Sequence, residues 1–254
     1  MTESIEIRDL KTQDELRACV ALQRATWGEE FTELVPVAIL QVVQYIGGIA
    51  AGAFNPRDEL LGFVFGISGI EQGMHGVVPV HWSDMLAVRK DVRNQGIGER
   101  LKRYQRDVLL ARGVEKVYWT FDPLDAKNAY VNFARLGVIA REYRRDMYGE
   151  TDSPLHQGIG TDRLIAVWPI ASKRVEERLA GVRRLPHVGS TIRIDVPIDI
   201  HDINAREPAL ARDWRKRTRA AFDEWLPQGY LVVDFVREAS HGSYLLVSAS
   251  DFMM

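Results

Sequence analysis

The chain has 254 residues, with 33 Lys+Arg against 35 Asp+Glu, a net charge of −2 and a single cysteine, Cys19. That balance leaves no overall field to draw the protein to nucleic acid or anionic lipid, and one cysteine excludes an internal disulfide and any multi-cysteine metal site. The length exceeds a typical domain of roughly 100–200 residues, so one domain with a long extension and two domains are both open.

The first residues, Met1-Thr2-Glu3-Ser4, lack a basic region followed by an apolar run, so no secretory signal is expected. With the lone cysteine, this reads as a cytoplasmic protein. Ile5-Glu6-Ile7-Arg8 alternates as a first strand. Thr12 and Glu15 form a capping box for a helix that buries Leu16, Cys19 and Val20 and runs out at Thr26-Trp27-Gly28. Cys19 reads as a small buried residue there. Pro36 opens a second helix with Ile39, Leu40, Val43 and Ile46 as its inner stripe. Residues 35–54 are apolar enough to be mistaken for a membrane span, but Gln41, Gln44 and Gly47-Gly48 mark a helix-to-strand turn instead. Strands at 48–54 and 60–68 flank Asn55-Pro56-Arg57-Asp58, which makes a hairpin. A glycine-rich loop at 69–78 then leads to a strand at 80–88.

The stretch from Leu86 to Arg112 reads as a strand end, a basic link, the turn Arg93-Asn94-Gln95-Gly96-Ile97-Gly98 and a helix. Gly96 and Gly98 let the backbone bend and let a ligand approach without meeting a Cβ atom. A helix N-terminus adds unpaired N–H donors and about half a positive charge, which suits a pyrophosphate. Ile97, Leu101, Tyr104, Val108 and Leu109 form the inner face of this helix, and Glu99, Arg100, Lys102, Arg103, Arg106 and Asp107 the outer one. Gly113 closes it. A Walker loop is excluded by the absence of Gly-Lys-Ser/Thr, and a dinucleotide fingerprint by Leu101 where a third glycine belongs.

A strand at 116–121, a helix at 126–136 and strands at 138–147 and 163–168 follow. Beyond them lie a short helix at 172–179, a strand at 191–196, a helix at 208–226 with Leu210, Trp214, Ala221, Phe222 and Trp225 inward, and strands at 230–236 and 244–247. The basic run Arg212, Arg215, Lys216, Arg217 and Arg219 reads as a solvated helix face rather than a phosphate-binding one.

Leu86-Ala87-Val88, then Arg93-x-x-Gly96-x-Gly98, then an amphipathic helix, resembles the acyl-CoA-binding motif of the GNAT superfamily of N-acyltransferases. The order of elements over residues 5–170 is similar to that fold as well. The resemblance implies an α/β architecture with a mixed sheet: a GNAT domain at 1–170 and an appended α+β subdomain at 171–254. It implies acetyl-CoA or another acyl-CoA as co-substrate, no metal, and a small-molecule amine or amino acid as acceptor. Nucleic-acid and membrane partners are not expected, and a homodimer is left open.

On this resemblance the backbone of Leu86, Ala87 and Val88 pairs with pantetheine amides. Arg93, Asn94, Gln95, Gly96, Ile97 and Gly98 hold the pyrophosphate, and Asn128 and Asn132 offer hydrogen bonds to the cofactor. Related enzymes place a base two or four residues before the Leu86 position. Strand alternation puts Asp84 and Trp82 on Leu86's face and His81 on the other, a choice that a bulge would swap. Asp84 is therefore the expected base. Many relatives also carry a Tyr-x-x-x-Gly arrangement that protonates the thiolate. Here the glycine is Gly137 and the tyrosine position holds Phe133, leaving Tyr130 as substitute. Acceptor contacts are expected from Trp27 and Phe31, with Glu29 and Glu30 beside them, and from Trp119 and Asp122, while Arg144 or Arg163 is placed to hold a carboxylate. The alternative is a non-catalytic acyl-CoA-binding protein.

Overall fold

The computed structural model describes residues 4–149, 158–185 and 191–252. These divide into two compact units, Met1–Val117 and Tyr118–Met254, and the architecture is mixed α/β.

In the first unit β1 (Glu6–Asp9) leads to α1 (Gln13–Trp27) and α2 (Val37–Tyr45), then to β2 (Ile49–Phe54), β3 (Leu60–Gly73), β4 (Gly76–Val88) and α3 (Ile97–Ala111). The strands pair antiparallel in the order β1-β2-β3-β4. α1 starts where its capping box demands: Thr12 accepts from the Glu15 N–H and the Glu15 side chain accepts from the Thr12 N–H. Leu16, Cys19, Leu40 and Val43 join Phe63, Phe65, Met85 and Ala87 in one core cluster. Cys19 is fully buried, which pushes its thiol up to about 12 and leaves it inert.

Three expectations for this unit need correcting. Only Leu40 and Val43 of the α2 stripe are buried, while Ile39 and Ile46 are 44% and 56% exposed. Ile46 falls just beyond α2, at its C-cap. The expected loop at 69–78 is absent, because β3 and β4 stay paired out to Gly73↔Gly76 and only Met74 and His75 turn the chain. Glycines weaken a strand without forbidding it, and the alternation of Val78 and Val80 keeps the ladder going. Lys102, expected on the outer face of α3, is buried together with Gln105.

The second unit begins in β5 (Lys116–Phe121). It continues through α4 (Ala126–Ala129), which passes into a π-helical turn at Tyr130–Arg135, then β6 (Ile139–Arg144), β7 (Arg163–Pro169) and α5 (Lys173–Leu179). β8 (Ile192–Pro197), α6 (Ile200–Arg206), α7 (Pro208–Trp225), β9 (Tyr230–Arg237), β10 (His241–Ser248) and α8 (Ala249–Phe252) complete it. The strands run β5-β7-β6-β9-β10-β8. β9 takes the free edge of β6 through Ala140↔Val232. An aromatic seam fills the core: Phe121 on Phe133, Phe133 on Tyr244, Tyr244 on Phe222 and Phe222 on Tyr143, with centroids 5.2–6.0 Å apart. Residues on both sides of position 170 therefore share one core.

Two corrections apply here too. α7 buries Ala211, Arg215, Thr218 and Phe222, while Leu210 is 37% exposed. Within the basic run, Arg215 is buried on Asp122 at 2.7 Å and Arg219 ties Asp162 to Asp146, so two of its members are structural ion pairs rather than solvated charges. Helix α6 had no counterpart in the sequence reading.

Candidate functional site

The β4–turn–α3 segment lies wholly in the first unit. Asn94 and Gly96 adopt left-handed backbone, with φ of 64° and 77°, and Gly96 is the N-cap of α3. A Cβ at Gly96 would meet nothing within 4 Å, so the side of the turn that a ligand would approach is open. The first turn of α3 leaves its N–H groups without intrahelical partners. Ile97 sinks its side chain into the core at 1% exposure, which fixes the direction of those donors. Arg93 donates from Nε to the Val88 carbonyl at 3.1 Å and so ties the turn to the end of β4. The arrangement is an anion cradle of backbone donors on a rigid strand–helix frame.

Upstream, β4 carries a bulge. Phe65 pairs with Met85 and Gly66 with Ser83, leaving Asp84 as the extra residue. Strict alternation therefore breaks at the residue expected to be the base. Ser83 and His81, not Trp82, share Leu86's face: α3 reaches both of them, and Leu86 lies 3.5 Å from the Cβ position of Gly98 at the start of α3. Trp82 pairs with Ile67 on the other face. The sequence expectation that Asp84 and Trp82 share Leu86's face is corrected accordingly. Asp84 itself is exposed. Loss of surrounding water pushes its carboxyl above the usual carboxylate range, against a smaller downward pull from the Trp82 indole N–H.

His81 moves to Leu86's face but is spent. Gln105 Nε2 lies 3.1 Å from its Nε2, and Ser68 Oγ lies 3.1 Å from its Nδ1. The Gln105 amide can only donate there, so His81 carries its proton on Nδ1 and donates to Ser68, whose hydroxyl donates on to the Gly47 carbonyl. Burial, with Lys102 and Arg112 nearby, brings His81 down to about 3, so it stays neutral. Lys102 donates from Nζ to Ser83 Oγ at 2.7 Å and to Gln105 Oε1 at 3.3 Å. Its burial lowers it to about 7. This buried polar chain beneath the bulge escaped the sequence reading.

The remaining expected residues separate by place. Trp27 and Phe31 stack at 5.3 Å in the first unit, half-buried against Phe63 and the core cluster. Leu86, Ala87 and Val88 form the last paired stretch of β4, with Ala87 in the core.

The others lie in the second unit. Trp119 is 7% exposed and meets Trp168 edge-on at 5.9 Å. Both Asp122 oxygens are engaged, one by the Leu124 N–H at 2.8 Å and the other by Arg215 at 2.7 Å. Asn128 is exposed at the start of α4 and gives its backbone N–H to Asp125. Asn132 is 3% exposed and its Nδ2 has no hydrogen-bond partner among the described residues. Phe133 is fully buried in the aromatic seam. The guanidinium carbons of Arg183 and Arg237 each lie 6.0 Å from the Tyr130 ring centroid. Arg144 faces Glu142, and Arg163 lies over the Tyr148 ring. Among the described residues no cluster of three or more metal-binding side chains occurs, and no helix is long and apolar enough to cross a membrane.

No protein-family model matches the sequence, and no curated protein does. Solved structures do match. The NatC complex bound to Gag peptide and CoA aligns with a TM-score of 0.51 at 14% identity, over 65% of this chain and 98% of that one. Chaetomium thermophilum Naa20 in complex with a bisubstrate analogue gives 0.51 at 16%, over 70% and 92%. Aminoglycoside 6'-acetyltransferase type Ii gives 0.50 at 21%, over 66% and 99%. These likenesses establish the fold: the chain contains a GNAT acyltransferase fold and carries further structure beyond it.

Proposed function

We propose that the protein is an acyl-CoA-dependent N-acyltransferase. The observation that carries this reading is the open left-handed glycine at the N-terminus of α3, fixed to β4 by Arg93. The turn takes the pyrophosphate of the acyl donor, and the backbone at Leu86, Ala87 and Val88 takes the pantetheine amides. Asp84, exposed on its bulge, removes the proton from the acceptor ammonium. The amine nitrogen then attacks the thioester carbonyl, the carbon–sulfur bond breaks, and the nitrogen gives up its second proton as the amide forms, a proton that balances the one the departing CoA thiolate takes up. Acetyl-CoA is the first donor to test and succinyl-CoA the second. The acceptor is an amine, and the fold neighbours named for a peptide and for an aminoglycoside keep N-termini and small polyamines both in view. Trp27 and Phe31 supply an apolar wall for its body.

The test is thiol release from acetyl-, succinyl- and longer acyl-CoAs against pools of amino acids, polyamines and aminoglycosides. One donor with one amine class is expected to turn over. Gly96→Glu abolishes it by filling the anion cradle. Asp84→Asn lowers kcat by about 10²–10⁴-fold, the range for a general base, with CoA affinity retained. Because the Asp84 carboxyl is raised and must be ionised to act, wild-type activity falls as pH drops through that raised pKa.

A second reading, a non-catalytic acyl-CoA sensor, is favoured by one observation. Phe133 occupies the tyrosine position with its ring buried, so this position donates no proton. CoA binding without turnover in any pool, and indifference to Asp84→Asn, would select it.

A further inference from the structure

In the second unit Tyr130, Arg183, Val236, Arg237 and Glu238 line a solvent-open cavity of about 600 Å³, a size within the range of small-molecule sites. Both guanidinium carbons lie 6.0 Å from the Tyr130 ring centroid. Arg183 is held in place from behind, by Asp234 Oδ1 at 2.9 Å and the Phe235 carbonyl at 2.8 Å. Arg237 and the Tyr130 hydroxyl have no hydrogen-bond partner among the described residues, and both residues line the cavity. The one acid in the lining, Glu238, is taken up by Arg193 and His241.

The charge behind the cavity does not balance either. Asp234, fully buried, is shared by Arg183 and by Arg178, which is 4% exposed. Arg174 stands beside them, hydrogen-bonded among the described residues to the Gly137 and Val233 carbonyls. Arg178 Nη1 is buried without a partner among the described residues, and a buried unmatched donor on a charged group is costly. Burial and the positive charges of Arg178 and Arg183 outweigh Asp234 and bring Arg174 down to about 10. One buried carboxylate thus pairs with two arginines, a third stands beside them on carbonyls alone, and a fourth lines the cavity. Guanidinium forks in such excess match oxyanions.

We infer that this cleft binds a small molecule bearing phosphate or carboxylate groups, held by Arg183, Arg237 and the Tyr130 hydroxyl. The inference stands apart from the acyltransferase reading and gives residues 171–254 a role as one wall of a ligand site. The other wall is the π-helical turn that begins at Tyr130.

The experiment is isothermal titration of the full chain with pyrophosphate, ADP, citrate and succinate at low salt, repeated on Gly96→Glu, on Arg237→Glu and on the two combined. Pyrophosphate and ADP report a phosphate ligand, citrate and succinate a carboxylate one. At least one is expected to bind, within twofold of wild type in Gly96→Glu, which lacks the α3 cradle. Arg237→Glu is expected to weaken it at least tenfold, with the melting temperature of the free protein unchanged because Arg237 is exposed. The inference is overturned if none of the four binds to Gly96→Glu, or if the binding seen there survives addition of Arg237→Glu. It is equally overturned if binding is lost in Gly96→Glu alone, which would place the anion at the α3 turn and leave the acyltransferase reading intact.

Discussion

Lys102 and His81 share a buried polar chain, and their pKa values are displaced in the same direction for related reasons. Lys102 drops from about 10.5 in an unfolded chain to about 7 when folded. Between those values the unfolded state binds the extra proton, so stability rises with pH from about 7 to about 10. His81 drops from 6.5 to about 3. Below about 6.5 the unfolded chain again takes the proton that the folded one refuses, so stability falls as pH falls toward 3. Each slope approaches about 1.4 kcal/mol per pH unit for one proton. Urea denaturation from pH 4 to 10 is therefore expected to show the acid-side loss flattened in His81→Gln and the alkaline-side gain flattened in Lys102→Met. Slopes unchanged in both variants would reject the assignment. Nothing in the sequence exposed this pair. A lysine in an amphipathic helix reads as outward, and it is the Ser83 hydroxyl, brought in by the fold, together with the Gln105 amide one turn along the helix, that offsets its burial. Thr12 and Glu15 were legible because their bonding is local, and Thr12→Ala is expected to cost about 1 kcal/mol.

The bulge on β4 decides what the strand presents at the level of elements. Gly66 stands opposite Ser83 beside it, and a Cβ there would come within 2.2 Å of His81 Nε2 and 2.5 Å of the Trp82 carbonyl. Backbone cannot give way cheaply. Gly66→Ala is expected to cost about 1–3 kcal/mol by overpacking and to lower turnover with little change in CoA affinity, because it disturbs Asp84 and not the turn. Gly69→Ala, on the same strand with nothing within 4 Å of its Cβ, is the control and should stay within about 0.5 kcal/mol of wild type. Equal losses in the two variants would show that strand propensity, not the bulge, is being measured. The turn after this strand was readable because two glycines, an arginine and a helical stripe fall in one register. The bulge was not, since a period of two carries no mark of an inserted residue. The π-helical turn at Tyr130–Arg135 was hidden in the same way, and it matters because it carries both Tyr130 and Phe133.

At the scale of the whole molecule the end of the family resemblance, near residue 170, is not the end of a folding unit. Tyr244 donates to the Pro123 carbonyl at 2.7 Å, Arg215 meets Asp122 at 2.7 Å, and Tyr143 stacks on Phe222 at 5.2 Å. All three join residues before 170 to residues after it. Removing 171–254 would expose Phe133, now fully buried, free the β6 edge that β9 occupies, and strip Asp122 of its guanidinium. Each loss is of a kind that costs one to several kcal/mol, and together they match or exceed the roughly 5–15 kcal/mol that holds a typical protein folded. A chain ending at Ile170 is therefore expected to lose near-UV circular dichroism and cooperative melting, and to associate through its unpaired strand. The double substitution Phe222→Ala, Tyr244→Ala in the full chain should reproduce most of that loss with every residue after 170 still present. A sharp, cooperative melt of 1–170 would instead show that the acyltransferase fold closes on its own and that the aromatic seam is an interface between separable parts.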